Sequence, residues 1–155
     1  MIRTIVRSML AAALGAAALA AAPAAAGPAW YAAAGGAIAG TDPVAYFIEG
    51  RPVPGKPGIA HAWMGVTWHF ARAANRDAFA ADPARYAPQY GGFCAWAVSQ
   101  GYTAKIDPEA WTIVDGKLYL NYSTSIRSRW SLDRKANIVK ADGNWPDLKK
   151  ELEAK

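Results

Sequence analysis

Residues 110–122 read AWTIVDGKLYLNY. Apolar residues alternate on either side of Asp115-Gly116, a dipeptide favoured in two-residue hairpin loops because both central residues need positive φ. The stretch predicts an antiparallel hairpin. Residues 59–71, IAHAWMGVTWHFA, predict a second one. Val66, Trp68 and Phe70 alternate with Thr67 and His69, the period of a half-buried strand, and Met64-Gly65 sits where the turn belongs. In that register Trp63 pairs with Val66, His61 with Trp68, and His69 lies opposite Ala60. The two histidines then point to opposite faces.

Helical signals surround the hairpins. Asp42 is placed to cap a short turn with Pro43 at its first position, ending near Gly50. The Pro/Gly cluster from Pro52 to Gly58 reads as a loop. A helix runs to about Ala81, and a proline-started turn then holds Tyr86, with Phe79 and Tyr86 as anchors. FCAWAVSQG, residues 93–101, reads as another helix, stopped by Gly101. The last 31 residues, from Ser125, are helical in composition, with Trp130, Leu132, Ile138 and Val139 as core candidates. Gly143 is expected to break that helix, and Trp145-Pro146 to open a final short one. The predicted fold is a small single α+β domain, two short β-hairpins packed against several short helices.

The first 26 residues are excluded from this fold. Arg3 and Arg7 precede an uncharged Ala/Leu run from Met9 to Ala22, followed by Ala24-Ala25-Ala26. This is the pattern of a secretory signal peptide cleaved near Ala26. The apolar run is shorter than the roughly 20 residues a bilayer span requires. The organisation read from the sequence is a signal peptide over 1–26, a flexible lead-in over 27–36, a domain over 37–148 and a charged tail over 149–155. The expected location is periplasmic or secreted, with no integral membrane span after cleavage.

Cleavage leaves 15 of the 17 basic residues against 12 acidic ones, scattered along the chain. No basic stripe forms, so nucleic-acid binding is disfavoured. One cysteine, Cys94, excludes an internal disulfide. Packing must supply the stability, and seven tryptophans and seven tyrosines offer large surfaces for it.

Cys94 follows Gly91-Gly92 and precedes the helical run. At a helix start, backbone N–H groups and the helix dipole favour the thiolate and lower its pKa. The glycines allow a ligand or another strand to approach closely. Two readings stay open for the thiol: a small buried hydrophobe, or a metal-binding or redox group. His69 and His61 are the other candidate ligands, and Met64 a possible third. Cys94 with His69 suits copper or zinc. Arg127 and Arg129 beside Trp130 suggest a small anion or partner patch, or simply a solvated helix face. The aspartates read as caps and turn starters, and none pairs with a histidine for acid–base work. Hydrolase and nucleotide-binding motifs are absent from the sequence.

The segments GTDPVAYF, WHFARAANRDAFAADPARYAPQYGGFCAWA, DPEAWTIVDGKLYLNY and ADGNWP, in this order and spacing, resemble the YHS domain family. The resemblance covers about Ala37 to Leu148 and is greatest to its exported single-domain members. Metal-handling YHS and related domains carry three cysteines. Here the resemblance puts Ala45, Ala71 and Asn75 at those positions, so their soft-metal site is not carried over. The expected function is an exported YHS-type protein binding one transition metal ion, copper foremost, through Cys94 with help from His69 and His61. It would exchange that metal with a donor or acceptor, as a monomer or a dimer disulfide-linked through Cys94. The alternative is a metal-free interaction module whose Trp/Tyr-rich surface docks a protein partner or a small apolar ligand.

Overall fold

The computed structural model describes residues 29–155, so the predicted signal peptide lies outside the described residues. The architecture is a small α+β fold. Its strands form three two-stranded antiparallel sheets: β1 (Ala32–Ala33) with β2 (Gly36–Ala37), β3 (Lys56–Trp63) with β4 (Val66–Phe70), and β5 (Asp107–Val114) with β6 (Lys117–Asn121). The helices are α1 (Ala45–Ile48), α2 (Ala73–Ala81), α3 (Pro83–Tyr86), α4 (Ala95–Ser99), α5 (Thr124–Leu132) and α6 (Arg134–Glu153).

Both predicted turns are present. Met64 and Gly65 have φ of 52° and 78°, and Asp115 and Gly116 have 51° and 73°. Positive φ at both positions gives the twist that a two-residue hairpin needs. The β3–β4 register pairs Trp63 with Val66, His61 with Trp68 and Ala60 with His69. Val66, Trp68 and Phe70 are buried, and Thr67 is exposed. The Pro/Gly stretch is only partly loop: β3 starts at Lys56, and a register shift between Lys56 and Ala60 accommodates Pro57-Gly58.

Asp42 does more than cap α1. Its Oδ1 accepts from the N–H groups of Val44 and Ala45 at 2.9 and 3.2 Å. Its Oδ2 accepts from the Ala71 N–H at 2.8 Å and from Asn75 Nδ2 at 2.7 Å. The residue is fully buried. One carboxylate thus ties α1 to the end of β4 and to α2, with every bond coming from a neutral donor.

The core has two parts. The first gathers Ile38, Tyr46, Trp68, Phe70, Phe79, Leu118 and Leu120, and the second gathers Tyr90, Val98, Tyr119, Trp130 and Ala141. Strand β6 runs between them, because alternation sends Leu118 and Leu120 one way and Tyr119 the other. Each fully buried large apolar side chain contributes roughly 1.5–3 kcal/mol.

The chain departs from the sequence reading at both ends. Residues 27–36 read as a flexible lead-in, yet from Ala29 onward the chain packs on the domain. Ala29 is buried, and the Trp30 ring lies 5.1 Å from Trp63 and 5.3 Å from Trp68. At the other end, the helical region breaks at Asp133, which accepts from the Ala136 N–H at 3.3 Å and so starts α6. Helix α6 then continues through Gly143 and Pro146 into the charged tail. Asn144 Nδ2 anchors it by donating to the Val98 carbonyl at 2.9 Å. Trp130 is core, but Leu132 and Val139 are 87% and 64% exposed and are not.

Replacing Asp42 with alanine leaves four buried or half-buried donors without their acceptor. Urea unfolding of Asp42→Ala is expected to show a loss of about 3 kcal/mol or more. A loss below about 1 kcal/mol would mean that the carboxylate is not a structural centre.

Candidate functional site

Cys94 is 1% exposed and forms the N-cap of α4. Its Sγ accepts from the Tyr122 N–H at 3.2 Å, and its thiol donates to Asn121 Oδ1 at 3.6 Å. The same Oδ1 accepts from the Trp96 N–H at 3.0 Å. Asn121 is fully buried, with no acceptor for its Nδ2 among the described residues. The amide is therefore oriented by the two donors on its oxygen. The Cys94 N–H itself donates to the Ala104 carbonyl at 3.1 Å.

These contacts correct the expectation of an acidified thiol. Burial pushes the Cys94 thiol above its ordinary value, and hydrogen bonds with the backbone of Ala97, Tyr122 and Trp96 offset only part of that rise. Helix α4 has five residues. Its dipole is correspondingly small, and desolvation of a charged sulfur outweighs it.

The paired glycines receive another part of the chain. Gly91 has φ of +61°, and a Cβ there would lie 2.0 Å from the Ala29 carbonyl oxygen. The Tyr31 N–H donates to the Gly91 carbonyl at 2.8 Å. Of the two occupants the sequence allowed, a neighbouring strand segment or a ligand, the segment Ala29–Tyr31 takes the space.

The histidines sit on opposite faces of their hairpin. The His69 imidazole lies toward Gly36, whose added Cβ would be 3.5 Å from His69 Cε1. The His61 ring stands 6.2 Å from that of Phe79. Met64 is half exposed in its turn and borders a recess of about 240 Å³ together with Trp30, Trp63 and Trp145. Among the described residues, no histidine or methionine bonds to Cys94 Sγ or lines the recess beside it. Among the described residues, no group of three or more His, Cys, Asp or Glu is gathered as a metal site. Ala45, Ala71 and Asn75, the positions the family resemblance singles out, all hydrogen-bond to Asp42.

The recess beside Cys94 has a volume of about 310 Å³ and is bordered by Trp96, Tyr102, Ala104, Tyr122, Ile126 and Arg129. Tyr102 and Tyr122 are 51% and 46% exposed. The Arg129 guanidinium lies 5.7 Å from the centre of the Trp96 ring, and Lys105 Nζ lies 5.4 Å from that of Tyr122. The suggested patch of Arg127, Arg129 and Trp130 does not form. Trp130 is fully buried, Arg127 donates to the Trp111 carbonyl at 3.3 Å, and Arg129 covers Trp96 instead. Sequence reasoning missed this recess. Its residues come from α4, the loop after it, the end of β6 and α5, and no local pattern links them.

Comparison with protein-family models, curated proteins and solved structures finds no match. Among the described residues, no helix is long and apolar enough to cross a membrane.

The raised thiol pKa has a signed consequence. The folded state holds its proton more tightly than the unfolded state, whose thiol titrates near pH 8.5. The resulting stability is fully present below about pH 8.5 and is lost as pH rises through the folded value. Urea midpoints of wild type and Cys94→Ala, measured at neutral and alkaline pH, should therefore converge as pH rises. A gap that widens would mean that the fold favours the thiolate.

Proposed function

We propose that this protein is a metal-free binding module that takes a small, flat apolar ligand in the recess beside Cys94. One observation carries the reading. Half-exposed Tyr102 and Tyr122, with Trp96, border a cavity of about 310 Å³, and small-ligand sites begin at roughly that size. Partly exposed aromatic rings give up water on contact with an apolar ligand, and ring stacking adds about 0.5–1.5 kcal/mol. Among the described residues, no carboxylate and no imidazole borders the recess. A protonated, hydrogen-bonded thiol is also a poor nucleophile. Binding without chemistry therefore fits it better than catalysis. An exported location is supported by the signal-like pattern of residues 1–26.

Copper or zinc held by Cys94 with His69 and His61 is the competing reading. It is supported by the residue types and by the resemblance to a family with metal-handling members. The geometry gives it less, since the groups bonded to the sulfur are a backbone N–H and an amide oxygen.

The test uses a neutral flat probe, naphthalene-2-carboxamide, with the chain starting at Gly27. Amide NMR shifts should cluster at Trp96, Tyr102, Ala104 and Tyr122. Ala104→Phe, which fills the recess from its edge, should weaken binding about tenfold or more. Scattered shifts, or unchanged affinity in that variant, would contradict the proposal. Copper(I) loading followed by desalting tests the competitor. Retention of about one equivalent by wild type and none by Cys94→Ala would put a metal carrier in its place.

A further inference from the structure

We infer that the recess beside Cys94 selects flat aromatic monocarboxylates over their neutral counterparts, an inference that rests on the binding reading above. One cation borders it, Arg129 over the Trp96 ring, and a second, Lys105, lies over the ring of Tyr122, itself a wall of the recess. Neither makes an ion pair among the described residues, where ion pairs involve Glu49, Asp77, Asp147 and Glu153. Among the described residues, no acidic one borders the recess. The two charges are therefore held beside the aromatic walls with no anion to neutralise them.

A cation over a ring face is stabilised by the ring quadrupole and stays close to the surface where a flat ligand stacks. The guanidinium also presents paired N–H donors whose geometry matches a carboxylate. A ligand with its ring against Trp96 and Tyr122 would bring a short carboxylate arm within reach of Arg129. Lys105, a point charge on a flexible stem, would add attraction without fixing orientation. The volume of about 310 Å³ suits one or two fused rings. The selected class is thus a small aromatic acid.

The experiment compares naphthalene-2-carboxylate with naphthalene-2-carboxamide by calorimetry, using the chain from Gly27. These two probes share shape and differ in charge. At low salt the carboxylate should bind about fivefold tighter, and added salt should shrink that preference, as for any solvent-exposed charge pair. Arg129→Gln should remove most of the preference, read as the ratio of the two probes' affinities within that variant. Lys105→Gln should have a smaller effect of the same sign. Equal affinities for the two probes, or a preference that survives both substitutions, would overturn the charge selection and leave the binding module standing. If neither probe binds, both the inference and the reading beneath it fall.

Discussion

The side-chain oxygen of Asn121 is the point on which the centre of the molecule turns. It accepts from the Trp96 N–H and from the Cys94 thiol, while the following N–H, that of Tyr122, donates to the same sulfur. The last residues of β6 are thereby stitched to the first turn of α4, at the place where the two halves of the core meet. An amide serves here because it is neutral. A carboxylate in the same sealed position would carry a desolvation cost that its two weak donors could not offset. The sulfur is consequently a structural acceptor and donor, and its reactivity is suppressed by the burial that makes it useful for packing.

Asp42 plays a complementary part among α1, β4 and α2. Its buried side chain accepts four hydrogen bonds from neutral donors and makes no ion pair among the described residues. The donors come from α1, the end of β4 and α2, so elements far apart in sequence are held by one residue. The Ala29–Tyr31 segment completes the packing by lying against Gly91 and by setting Trp30 on Trp63 and Trp68. The tryptophans that a chain without disulfides requires are used in this way, with six of the seven in contact with another aromatic ring, namely Trp30, Trp63, Trp68, Trp111, Trp130 and Trp145.

Local chemistry was legible in the sequence wherever it determined geometry. Met64-Gly65 and Asp115-Gly116 fixed both hairpin turns, and with the first turn came the β3–β4 register and the opposite facing of His61 and His69. Asp42 and Asp82 were readable as starters of helical turns. The C-terminal helices were misread because local rules lost to tertiary contact. Gly143 costs a helix only about 1 kcal/mol, and the contacts of Asn144 and Trp145 with the rest of the domain outweigh it. Asp133 was a better break signal, since its side chain can cap a new helix. For the thiol, the buried reading holds, and only the lowered pKa expected of a helix start is overturned. A position before a helix is visible in sequence, whereas the depth of burial that decides between thiol and thiolate is a property of the whole fold. The aromatic recess was invisible because its walls meet only after α4, β6 and α5 are assembled.

Burial and hydrogen bonding favour a neutral Cys94 sulfur, engaged within the fold at physiological pH. Thiolate absorbance of the native protein, followed as a function of pH with Cys94→Ala subtracted to remove tyrosine, measures this directly. The expected midpoint lies above the ordinary thiol value of about 8.5. A midpoint at or below about 7 would show a sulfur already charged and available to a metal, and would contradict it.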